Sequence, residues 1–209
     1  MKIIPIFPLR IIAFPGELIN LHIFEPRYKK LIKDILSGEK VFGISPFINE
    51  RLAEIGTEVK LLNVEKEYPN GELDIKVEGA ALYKIRNFYE GNHPEAYSNA
   101  QVEYLNLKMD DGEPYMNAEI LKCLQQLFEI LQLDRPLPES PYEFNSFDVG
   151  HLAGLDVNQE YELLCTSSEK DRQKLIYQHL KAFLPEASKM QRLRVLASLN
   201  GHFRPLRLE

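Results

Sequence analysis

Hydrophobic and polar positions follow two rhythms along this chain. In the first half apolar residues tend to come at every second position, as on a strand with one buried face. In the second half they come every third or fourth, as on an amphipathic helix. Residues 2–7, rich in Ile and Phe, read as a first strand, and Pro5 and Pro8 push it toward a sheet edge or a strand end. Pro15-Gly16 marks a turn. Ile19, Leu21 and Ile23 alternate with Asn20 and His22 and share a strand face. Pro26 then suits a first helical turn, with Glu25 placing negative charge at the positive end of the dipole. Tyr28, Leu31, Ile32, Ile35 and Leu36 recur at helical spacing up to Gly38, so the pattern predicts a helix over 26–37. Strands follow over 40–47, 57–68, 72–88 and 96–105. Gly43 is read as a place of close backbone approach, Asn70-Gly71 as a hairpin turn and Gly79 as a bend or bulge.

The rhythm changes near Lys108–Pro114. Ala118, Leu121, Leu124, Leu127, Phe128 and Leu131 trace one helix, which stops before Asp134-Arg135-Pro136. Ser146 is read as the cap of a short helix to Gly154, Asn158 as the cap of another, and Ser168 with Asp171 as a capping box for a longer one. Pro185 is expected to end that helix or to start the next, in which Met190, Leu193 and Leu196 share a face. Strands followed by helices give an α+β architecture, with a β-rich unit over 1–112 and a helical unit over 113–209.

Composition adds bounds. The chain has 209 residues, 44% hydrophobic and 27% charged, as in a globular protein with a real core. No apolar run approaches the roughly 20 residues of a membrane span. The apolar start is broken by prolines and reads as a strand, not a signal peptide. Two cysteines make no disulfide framework, which suits a reducing cytoplasm. The net charge of −6 argues against a nucleic-acid module, yet it is unevenly spread. From Arg172 onward eight Lys or Arg meet two Glu, a local +6 against −12 for the residues before it. That run is either a solvated helix face or a surface for acidic partners or phosphates.

Four strings stand together early in the chain: Ile6-Phe7-Pro8-Leu9, Phe14-Pro15-Gly16-Glu17, Leu21 to Tyr28, and Phe42-Gly43-Ile44 shortly after. Together they resemble the N-terminal substrate-binding domain of the Lon protease family over about the first 45 residues. Glu162-Leu163-Leu164 and Arg172-Gln173-Lys174-Leu175 resemble the short helices near the end of that domain less closely. The resemblance implies a PUA-like antiparallel β pseudo-barrel with one early helix, then a helical bundle, together one Lon-N-type domain to about residue 195 with a basic tail beyond. It departs from a full Lon protease, because no G-x-x-x-x-G-K-[ST] phosphate loop occurs and neither the ATPase nor the Ser-Lys peptidase module is found. The expectation is a stand-alone relative that is not an enzyme.

Searches for chemistry return little. The histidines at 22, 93, 151, 179 and 202 have no paired metal spacing and the cysteines are 42 apart, so neither a metal nor a cofactor is expected. No G-x-S-x-G elbow is present, and Cys123 and Cys165 at helical spacing read as small buried hydrophobes. Glu65, Glu67, Glu72, Asp74 and Glu78 read as the solvent face of a hairpin. Within the family stretch His22, Glu25 and Arg27 have two readings. They line a peptide-binding surface, or they serve as an outward strand residue, a helix-start acid and an ion-pairing base. Phe14, Phe24 and Tyr28 are expected in the core. The leading function is a binding module for unfolded or specific polypeptides, using strand pairing or an apolar groove between the two halves, with a protease or chaperone as a partner in trans. The alternative is RNA binding through the basic C-terminal helix, which needs stacking aromatics. Tyr177, Phe183 and Phe203 are the ones available.

Overall fold

The computed structural model describes residues 2–93 and 95–200, and side chains as far as 194. Seven strands come first, β1 (Lys2–Leu9), β2 (Leu18–Ile23), β3 (Val41–Ile48), β4 (Arg51–Leu52), β5 (Ile55–Glu67), β6 (Leu73–Tyr89) and β7 (Ser98–Tyr104), with helix α1 (Pro26–Leu36) between β2 and β3. Helices α2 (Pro114–Leu131), α3 (Ser146–Gly150), α4 (Val157–Cys165) and α5 (Glu169–Asn200) follow. The architecture is therefore α+β, an antiparallel β unit with one early helix followed by helices. None of the described helices is long and apolar enough to cross a membrane.

The sheet closes on itself. β7, β6, β5 and β3 lie side by side, and β1 joins the two ends. Residues Lys2 to Ile6 pair antiparallel with β7, and Ile6 to Leu9 pair parallel with β3. Pro5 and Pro8 thus do not mark a sheet edge. Each sits in a half of β1 that takes its partner on one side only, where a residue without N–H is tolerated. The hairpin at Asn70-Gly71 forms as its turn chemistry requires, with Gly71 at φ +75°. At Gly79 the register of β6 against β5 slips, Glu58 facing Ala81 and Val59 facing Gly79. The bulge admits the Phe14–Glu17 turn, since Gly16 donates to the Gly79 carbonyl and Gly79 to that of Glu17, at 2.8 and 2.9 Å.

Two large apolar cores result among the described residues, with a smaller one of Ile4, Ile6, Tyr83, Ala100 and Val102. One lies in the barrel, where Tyr28, Leu31, Ile32 and Ile35 of α1 pack on Phe42, Val59 and Val77. Beside it Tyr83 is fully buried and shares a 2.7 Å hydrogen bond with Ser45. Its ring lies where a Cβ on Gly43 or Gly56 would stand, so the close approach expected at Gly43 comes from a ring, not a backbone. The second core gathers α2 to α5 around Phe14, Ile12 and Leu82 from the β half. The helix starts differ from expectation by a residue or two. Asn145, not Ser146, caps α3, and Asp156, not Asn158, caps α4, each with a reciprocal capping box. Pro185 neither ends nor starts a helix but lies within α5.

Candidate functional site

The turn from Phe14 to Glu17 is a joint. Phe14 is fully buried in the helical core and stacks on Phe147 of α3, ring centroids 5.2 Å apart. Gly16 takes the left-handed conformation, φ +82°. The Glu17 carboxylate accepts from the Phe14 amide at 2.9 Å and meets His151 at 3.3 Å, while the other ring nitrogen of His151 meets Glu160 of α4 at 2.7 Å. At this turn the two halves are closed by packing, while a hollow lined by Arg51, Leu52, Asn158 and Tyr161 stays open between the barrel and α4.

The three candidate residues separate. His22 faces outward from β2 between two carboxylates, Asp74 at 2.7 Å and Glu72 at 3.2 Å, and its bond to Asp74 raises its pKa above the usual imidazole value. Phe24 is not in the core but 59% exposed. It continues the outward parity of Asn20 and His22 past the end of the strand, and stacks near His22 at 6.2 Å. Glu25 and Arg27 come together, the Glu25 Oε2 accepting from Arg27 Nε at 2.9 Å and from a terminal guanidinium nitrogen at 2.6 Å. The guanidinium also lies 5.0 Å from the Tyr28 ring centroid.

Arg27 and Tyr28 line a cavity of about 390 Å³ at one end of the barrel. Its apolar wall comes from Pro8 of β1, Phe47 of β3, Leu52 of β4, and Ile85 and Phe88 of β6. Glu54 and Glu90 also line it, and Phe88 is 42% exposed. Tyr28 is held by stacking on Phe7 at 3.9 Å, so this wall is preformed. His22 does not line it, and it lies within the β half. Sequence reasoning missed Phe88, Leu52 and Phe47. As alternating strand residues they carry no local signal, and only closure of the barrel brings them together.

The C-terminal basic run also changes character. Arg172, its first member, is fully buried and belongs to no solvated face. It donates to Glu169, Ser146 and the Thr166 carbonyl, and lies 4.3 Å from the Phe147 ring centroid. Tyr177 and Phe183 are half-buried, Phe183 stacked on His179, and Phe203 and the tail after Asn200 lie outside the described residues. Cys123 is buried, but Cys165, at the end of α4, is exposed and not the buried hydrophobe expected. Among the described residues no group of three or more His, Cys, Asp or Glu is placed to hold a metal ion.

A family model for the ATP-dependent protease La (LON) substrate-binding domain matches residues 3–182. The Lon protease of Dictyoglomus thermophilum is 27% identical over 201 residues, 84% of this chain and 24% of that protein. The Lon protease of Flavobacterium johnsoniae is 27% identical over 149 residues, 67% of this chain and 18% of that protein. The chain spans about a quarter or less of the length of these relatives. Two solved structures share the fold. A Lon N-terminal domain protein from Xanthomonas campestris matches with a TM-score of 0.65 at 21% identity, over 83% of this chain and 96% of that one. The N-terminal domain of the Mycobacterium avium complex Lon protease matches with a TM-score of 0.60 at 17% identity, over 86% and 98%.

Proposed function

This chain belongs to the Lon substrate-binding domain family, and we propose that it captures polypeptide segments bearing bulky apolar side chains in the cavity beneath α1. The observation that carries this reading is the cavity itself. It is preformed, apolar-walled and about 390 Å³, within the range of ordinary ligand sites. An exposed Phe88 at such a site is apolar surface that a captured segment would cover. In this reading Arg27, held by Glu25, frames the mouth, while His22 and Phe24 add a second contact surface on β2. The role is capture without chemistry of its own, with hand-over to a protease or chaperone in trans. Two unpaired thiols suit a cytoplasmic setting.

The test is fluorescence anisotropy with labelled peptides of about a dozen residues carrying one central Phe. Phe88→Ser or Leu52→Ser should weaken binding about tenfold, the scale of one lost apolar anchor. Binding that is indifferent both to the central Phe and to these substitutions would sink the reading.

A further inference from the structure

The apolar cavity does not end at Leu52. Leu52 and Ala53 also wall a second, more open hollow of about 530 Å³, lined further by Asn49, Arg51, Asn158 and Tyr161. The two hollows adjoin at Leu52 and Ala53, the first walled mainly by barrel strands and the second reaching Asn158 and Tyr161 of α4. A tight hairpin fixes the α4 end. Asn49 and Glu50 both have positive φ, 50° and 62°, and Ile48 pairs with Arg51 across the turn. The Tyr161 hydroxyl accepts from the Ile55 amide at 3.2 Å and ties α4 to this hairpin.

Charge differs between the two ends. Around the cavity Arg27 is matched by Glu25 at 2.6 Å, and Lys84 matches Glu54 at 3.1 Å. Arg51 is exposed at the α4 end, and among the described residues no carboxylate lies within ion-pair distance of it. The side chains of Asn49 and Asn158 stand there too, 3.4 Å apart at the limit of a hydrogen bond, with amide groups left over for a peptide backbone. In a chain of net charge −6, an unmatched guanidinium in a hollow is a receiving group for an outside carboxylate.

We propose, resting on the peptide-capture reading, that the adjoining hollows recognise a two-part motif on one extended segment. A bulky apolar side chain fills the cavity, and an acidic side chain, Asp or Glu, is received by Arg51. Since an extended chain advances about 3.3 Å per residue, the acid stands a few residues from the anchor.

The experiment compares otherwise identical Phe-centred peptides carrying Glu, Gln or Lys two, three or four residues from the Phe, by anisotropy on the full chain. At the best spacing the Glu peptide should bind roughly two- to fivefold tighter than the Gln peptide, the range of an exposed charge pair. The Lys peptide should bind weakest, and high salt should erase the differences. Arg51→Glu should invert the order, favouring Lys. Equal binding of all three peptides overturns the proposal. If Phe88→Ser still weakens them alike, the cavity reading stands without it, and if no peptide binds, both fall. A Glu-free peptide whose free C-terminus near the Phe reproduces the Glu effect, while its amide does not, overturns the side-chain assignment.

Discussion

Arg172 shows how much one residue can hide from a linear reading. By sequence it opens a basic run. In the structure it is the hub on which the linker before α2, the start of α3 and the start of α5 converge. Its guanidinium bonds the Glu169 carboxylate, which also accepts from the Ser146 amide and hydroxyl at 2.7 Å. Removing one member leaves the other charge buried and unpaired, which costs about 3–5 kcal/mol. Arg172→Ala should therefore lower the unfolding free energy by that amount in urea titrations. Arg172→Lys should recover little, because one ammonium cannot span the planar set of acceptors. A loss well under 1 kcal/mol would mean that water replaces the guanidinium freely. Gly43 is a second such residue. Its hydrogen leaves space for the buried Tyr83 ring, so Gly43→Ala should destabilise by about 1–3 kcal/mol through overpacking. Tyr83→Phe, which orphans only the Ser45 hydroxyl, should cost nearer 1 kcal/mol.

At the scale of elements, local signals did best where turn chemistry fixes geometry. Asn70-Gly71, Gly79 and Pro26 each forced one local structure, and the strands and helix around them fell into place. Elements held by distant partners were less legible. Asp111 caps α5 from far upstream, accepting from the Ser168 hydroxyl and the Glu169 amide at 2.8 Å. The Ser168 hydroxyl bond holds its carboxyl below the usual carboxylate range. Ser168 itself accepts from the Asp171 amide at 3.3 Å, the backbone half of the expected capping box, but nothing near it in sequence announces Asp111. The candidate site suffers most from this. Of His22, Glu25 and Arg27 only Arg27 reaches the cavity, whose other walls come from five separate strands. Pro185 was misread for a different reason, since local sterics argue against proline inside a helix but packing overrides them. Ala187, beyond it, is buried in the helical core and holds α5 in line. A proline there still forgoes a hydrogen bond to the preceding turn. Pro185→Ala should raise the melting temperature, read by far-ultraviolet circular dichroism, and a fall would mean that the ring itself is needed for packing.

For the whole molecule, the issue is what keeps barrel and helices one body. Phe14 supplies apolar contact, and His151 supplies a charged clasp between Glu17 of the β half and Glu160 of α4. Burial opposes charge on this imidazole, but the Glu160 and Glu17 carboxylates outweigh it, and its pKa is pushed up to about 9. The folded protein thus holds this proton more tightly than the unfolded chain, where the value is about 6.5. The stabilisation is fully present below about pH 6.5 and fades as pH rises through about 9. His22, held by Asp74, shifts in the same direction, and the buried Cys123 thiol, pushed up by desolvation, also makes stability fall with rising pH. The clasp is therefore read as a difference. His151→Gln keeps a neutral donor but cannot titrate, so it should melt well below the wild type at pH 6 and converge on it by pH 10. A gap that stays constant across that range would show that the ring acts only by packing on Phe14 and that its charge adds nothing to the joint.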